Sequence, residues 1–159
     1  MLVKRAMSKN VVSVSVPGNR EKVLDLMRKE DKAVLPVVKG DTKQLVGLIT
    51  RSDLIVNPDE EQIAILMSTD LVTASPDDDV KDVAKKMIDN NVRRVPVVDD
   101  NGDLVGIITS FDLVSNALIK LESDDPVENF MITTVPTTWY KTPLNVAFET
   151  MKQFGLKSV

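Results

Sequence analysis

Between Asp78 and Asn90 the apolar side chains fall at Val80, Val83, Ala84, Met87 and Ile88, the spacing that gathers them on one face of an α-helix. Two apolar runs follow, Val92 to Val98 and Leu104 to Thr109, both rich in β-branched residues and read as strands. Asp99-Asp100-Asn101-Gly102-Asp103 separates them, and its Asn-Gly pair predicts a hairpin. A last helix carries Leu113, Val114, Ala117, Leu118 and Leu121 on one side, and Leu71-Val72-Thr73 upstream reads as a short strand. The predicted order is β-α-β-β-α. Val11-Val12-Ser13-Val14 opens an earlier copy of it.

That earlier copy is a duplication. Shifted by 60, Met7-Ser8 falls on Met67-Ser68, Val12 on Val72, Ser15 on Ser75, Val23 on Val83, Met27 on Met87 and Pro36-Val37-Val38 on Pro96-Val97-Val98. After one deletion, Leu45-Val46-Gly47, Ile49-Thr50 and Asp53-Leu54 meet Leu104-Val105-Gly106, Ile108-Thr109 and Asp112-Leu113. A third copy starts with Met131, Leu144 and Met151 in the places of Met67, Val80 and Met87, and its helix starts near Thr142-Pro143. The chain stops before the third hairpin. The expected divisions are 1–57, 58–121 and 122–159, an α+β arrangement with a truncated third repeat.

Each repeat has a short leader with apolar positions one helical turn apart: Val3, Ala6 and Met7; Ile63, Leu66 and Met67; Val127, Phe130 and Met131. Asn57-Pro58-Asp59-Glu60 and Asp125-Pro126-Val127-Glu128 set a capping residue before a Pro suited to a first helical position. The leaders are therefore expected as helices joining the repeats. In the third repeat, a helix with Val146, Ala147, Met151 and Phe154 has no hairpin of its own to cover it, and is expected to dock on another chain or on the first two repeats.

Composition narrows the chemistry. The chain holds no Cys and no His, which removes Ser-His-Asp and Cys-His catalysis, thiol redox chemistry and zinc held by thiolate or imidazole. Twenty basic side chains against 24 acidic ones give a net charge of −4, so no general attraction to nucleic acid or an anionic membrane is expected. No apolar stretch reaches signal-peptide or membrane-span length, and the reading is a soluble, cytoplasmic protein.

The run Arg93-Arg94-Val95-Pro96-Val97-Val98-Asp99, followed by Gly106-Ile107-Ile108-Thr109-Ser110-Phe111-Asp112-Leu113, resembles a cystathionine-β-synthase (CBS) domain. Leu35-Pro36-Val37-Val38 and Gly47-Leu48-Ile49-Thr50-Arg51-Ser52-Asp53-Leu54 repeat it. The resemblance implies a CBS pair, or Bateman module, whose two repeats pack through their sheets about a pseudo-twofold axis. It implies a regulatory, non-enzymatic module that binds an adenosine-containing ligand (AMP, ADP, ATP, S-adenosylmethionine or methylthioadenosine) between the repeats and requires no cofactor. It further implies a homo-oligomer, with a regulated enzyme or transporter as partner. Archaeal proteins with four CBS units are similar, and the abrupt end suggests a fragment of one. The rival is a structural or oligomerisation module without a nucleotide.

The candidate site residues follow. Thr109 and Asp112, and Thr50 and Asp53, stand where a strand passes into a helix. There the first-turn N–H groups are unpaired and a carboxylate can accept from a ribose diol. The same Thr-x-x-Asp spacing is that of a capping box, which needs no ligand. Arg93 and Arg94 are read as phosphate arms, their planar forks suited to it, or else as surface charges at a strand edge. The first repeat has Ala33 and Val34 there, so the two clefts are expected to differ. The resemblance adds Ser52 and Phe111 beside the carboxylates, and places adenine near Val12, Ser13, Val72, Thr73, Pro36 and Pro96. Trp139 and Tyr140 could stack on a base or simply pack. No metal site is expected: Asp99 to Asp103 lacks the final Glu of a calcium loop.

Overall fold

The computed structural model describes residues 1–117, 124–129, 131 and 133–154. It divides into two compact units, Met1–Leu121 and Glu122–Val159.

In the first unit, strand β1 (Val14–Val16) is followed by helix α1 (Arg20–Lys29), hairpin β2 (Val34–Lys39) and β3 (Leu45–Thr50), and helix α2 (Arg51–Val56). A short helix α3 (Ile63–Leu66) leads to α4 (Val80–Asp89), hairpin β4 (Arg94–Val98) and β5 (Leu104–Thr109), and α5 (Ser110–Ala117). β1 pairs parallel with β2, and β2 antiparallel with β3; β4 and β5 form a two-stranded sheet. The second repeat thus lacks the first strand read at Leu71-Val72-Thr73. Only Ala74 bridges Val97 there. In the first repeat the strand starts at Val14, later than Val11: pairing with β2 begins at Val14 opposite Val37, while the Val11 N–H bonds the Lys9 carbonyl.

Helices α1 and α4 begin on side-chain caps. Asn19 Oδ1 accepts from Glu21 and Lys22, and Asp79 Oδ1 from Lys81. Both end in a Schellman motif: Lys32 N–H donates to Met27 and Asp31 N–H to Arg28, as Val92 donates to Met87 and Asn91 to Ile88. Asp31 and Asn91 are therefore left-handed, at φ +48° and +52°. On the apolar face of α4, Val80, Val83 and Met87 are buried, but Ile88 is 78% exposed. Of the apolar side predicted for α5, Leu118 and Leu121 lie outside the described residues.

The leaders do not join successive repeats as plain helices. They are exchanged. The first leader forms a 3-10 turn, Val3–Arg5, whose Val3 and Ala6 complete the core of the second repeat beside Val83, Met87, Val95, Val97 and Ile108. The second leader, α3, sends Ile63 and Leu66 into the core of the first repeat beside Val23, Met27, Leu35, Val37, Ile49 and Leu54. Val3 and Ile63 are fully buried, and each such side chain contributes about 1.5–3 kcal/mol. Helix α3 begins at Ile63, not at Pro58, since Asn57 closes α2 as its C-cap.

The exchange obeys the internal symmetry. Ser8 and Ile107 trade two backbone hydrogen bonds of 2.9 and 3.0 Å, and Ser68 and Leu48 do the same. The hairpins also meet at their turns, where Leu45 N–H donates to Gly102 and Leu104 N–H to Lys43.

In the second unit a 3-10 turn covers Val127–Asn129 and helix α6 spans Leu144–Gln153. Phe130, read as part of that leader, lies outside the described residues. Trp139 and Tyr140 contact edge to face at 5.2 Å, with the Lys141 ammonium 5.5 Å from each ring. Among the described residues no helix is long and apolar enough to cross a membrane.

Candidate functional site

Each repeat turns from its second hairpin strand directly into a helix, and the same four-residue device makes the turn. Thr50 Oγ1 accepts from Asp53 N–H at 3.2 Å, and Asp53 Oδ2 accepts from Thr50 N–H at 2.8 Å. Asp112 Oδ2 accepts from Thr109 N–H at 2.8 Å and from its hydroxyl at 2.7 Å, while Asp112 N–H donates to Thr109 Oγ1 at 3.2 Å. The capping box is therefore present in both repeats. Among the described residues every bond that these two carboxylates accept goes to Oδ2, so each keeps Oδ1 for a further donor.

Around Asp112 the exchanged leader and the hairpins enclose a cleft of about 300 Å3. One wall is the strand β5 with Ile107 and Thr109. Across the sheet Arg94 is in register with Thr109, so the two side chains share a face. The opposite wall is the end of the first helix and the start of β2, from Asp31 to Pro36, and the floor is Ser8 and Asn10 to Val12. Val11, Val12, Leu35, Pro36 and Ile107 offer apolar surface. Asp112 and Asp31 bring carboxylates, Arg94 and Lys32 bring cations, and Asn10 an amide. Such a mixture suits a flat apolar body bearing hydroxyls and a charged tail.

Of the residues singled out from the sequence, the cleft gathers Val12, Pro36, Arg94, Thr109 and Asp112. Thr50, Asp53, Val72 and Pro96 take the equivalent positions on the other side of the internal repeat and do not line this cleft. The two arginines part company. Arg94 lines the cleft, whereas Arg93 borders an outer apolar groove of about 590 Å3 between α4 and α5, lined by Met87, Ile88, Leu113 and Val114. Ser52 is exposed, and Phe111 is 75% exposed; neither lines the cleft. Ser13 does not line it, and the Thr73 carbonyl accepts from the Lys86 ammonium.

Ser8, Asn10, Asp31 and Lys32 also line the cleft, and sequence reasoning missed them. Asp31 had a signal: it is matched by Asn91, and both residue types tolerate the left-handed conformation that ends the preceding helix. Ser8 and Asn10 had none, since their position depends on the exchange of leaders.

Comparison with known proteins bears on this geometry. Relatives include the uncharacterized protein MK0525 of Methanopyrus kandleri, 36% identical over 85 residues, covering 49% of this chain and 43% of the relative. The inosine-5'-monophosphate dehydrogenase of Nitrosopumilus maritimus is 35% identical over 120 residues, 72% of this chain and 24% of the enzyme. The chain thus spans less than half the length of either relative. Among solved structures, the CBS domain pair of protein MJ0100, determined in complex with 5'-methylthioadenosine and S-adenosyl-L-methionine, superposes with a TM-score of 0.68 at 32% identity, covering 76% of this chain and 98% of that one. The family model for the CBS domain matches twice, at residues 3–59 and 61–118. Two matches at the repeat spacing, on halves that trade leaders across an internal twofold, place the chain in the CBS-domain family, with two CBS domains in tandem.

Proposed function

We propose that the chain is a regulatory module that binds an adenosine-containing ligand in the cleft around Asp112 and does no chemistry on it. Asp112 Oδ1 takes the ribose diol, Thr109 supports it, and the base lies against Val12, Leu35 and Pro36. Arg94 and Lys32 meet an anionic tail, which favours a nucleotide such as AMP over an uncharged adenosyl compound. Thr50 and Asp53 are the counterparts for a second ligand across the internal twofold, where Val34 replaces Arg94. The observation that carries the reading is that residues far apart in sequence, Val12, Pro36, Arg94, Thr109 and Asp112, line one cleft. The ligands held by the MJ0100 pair support the same class of compound. Binding is then reported to an enzyme or transporter in the cytoplasm, joined to the module or separate from it.

Titration calorimetry with AMP, S-adenosylmethionine and methylthioadenosine tests this. Asp112→Ala should weaken all three about tenfold or more, and Arg94→Ala should weaken AMP while sparing methylthioadenosine. Unchanged AMP affinity in both variants would overturn it. The exposure of Ile88 and Val114 along the α4–α5 groove favours a second reading, an assembly module. A mass that rises with concentration, with no thermal shift from any adenosyl compound, would select it.

A further inference from the structure

Behind the adenosyl cleft, on the outer side of β1, the first repeat holds a cavity of about 630 Å3, well within the size of small-molecule sites. Val12 lines the cleft and its neighbour Ser13 lines the cavity; the two share no lining residue.

The internal repeat explains why the cavity exists. In the second repeat the equivalent place is crossed by an ion pair: the Lys86 ammonium bonds Asp78 Oδ2 at 3.1 Å and the Thr73 carbonyl at 3.4 Å. The shift of 60 puts Leu26 where Lys86 stands, Gly18 where Asp78 stands and Ser13 where Thr73 stands. Both halves of the plug are replaced together. Leu26 is too short to reach the Ser13 carbonyl. Gly18 cannot regain a side chain, because its Cβ would lie 2.4 Å from the Ser15 carbonyl oxygen and 2.7 Å from Ile63 Cδ1.

The open space has a definite chemical character. Val14, Pro17 and Leu26 give it an apolar side, and Ser13, Ser15 and Lys22 a polar one. No carboxylate lines it, in a chain where acids outnumber bases 24 to 20. We propose that this cavity binds a small organic anion with an apolar body, its carboxylate or phosphate met by the Lys22 ammonium and the serine hydroxyls, its body lying on Val14, Pro17 and Leu26.

The test is a titration of the isotope-labelled full chain, followed by backbone amide NMR shifts, with octanoate and phenyl phosphate as probes and octanol as the uncharged control. At least one anion should move the signals of residues 13–23, in the presence or absence of saturating AMP, and the two arms tell carboxylate from phosphate. Lys22→Gln should weaken that anion about five- to tenfold. Leu26→Glu, which brings a carboxylate into the cavity, should abolish binding. Octanol binding as well as octanoate, shifts confined to the adenosyl cleft or the α4–α5 groove, or unaltered affinity in both variants would overturn the proposal.

Discussion

The Met7 sulfur lies 2.5 Å from the point where a Cβ on Gly106 would be, and the Met67 sulfur stands 2.6 Å from the same point on Gly47. Each methionine belongs to an exchanged leader, and each glycine to the hairpin that receives it. The missing side chain is what lets the leader seat.

Gly106→Ala should therefore destabilise the protein by about 1–3 kcal/mol, since the Ser8 carbonyl, at 3.2 Å from the new Cβ, is backbone and cannot turn aside. Combined with Met7→Ala, part of that loss should be recovered. Urea denaturation of the double-mutant cycle measures the coupling, and strict additivity would show that the contact does not matter.

The capping boxes separate folding from binding at the two carboxylates. Without ligand, Asp53→Ala and Asp112→Ala should each lower stability by about 1 kcal/mol through loss of the bond to the threonine N–H. With AMP, the rise in Tm that binding produces by mass action should disappear in Asp112→Ala. A full ligand-induced rise in that variant would leave Asp112 with a capping role alone.

The helix ends give a contrast between stability and function. Asn91→Gly should stabilise by about 0.5 kcal/mol, because glycine takes the left-handed conformation without steric cost. Asp31→Gly should stabilise similarly but also alter nucleotide affinity, since Asp31 lies on the cleft. Paired melting and calorimetry experiments check both.

Asp78 makes the acid limb of stability specific to the second repeat. Burial acts to raise its pKa, but the Ser75 N–H and the Lys86 ammonium outweigh that and hold it below the usual carboxylate range. A depressed folded-state pKa contributes stability that is fully present above the unfolded value, about 3.9, and is lost as pH falls through the folded one. The pair is partly exposed, at 44% and 30%, so the contribution is at most about 1 kcal/mol. Denaturation midpoints between pH 7 and pH 3 should fall less steeply below pH 4 in Asp78→Asn than in the parent chain.

Much of this was legible before any coordinates. The helical period around Val83 and Met87, the hairpin around Asn101-Gly102 and the doubled Thr-x-x-Asp turn are all local, governed by backbone preference and by contacts within a few residues, so the amino-acid order alone settled them. The repeat likewise announced two equivalent halves. Which half each leader completes was a matter of tertiary structure, because Val3 and Ile63 are apolar enough for either core and the two seats, Met7 on Gly106 and Met67 on Gly47, are alike. That choice brings Ser8 and Asn10 to the cleft, turns Arg94 inward while Arg93 borders the outer groove, and leaves the space beside Leu26 open where Lys86 closes its counterpart. Distances between residues so far apart along the chain are set by packing, which no local pattern encodes.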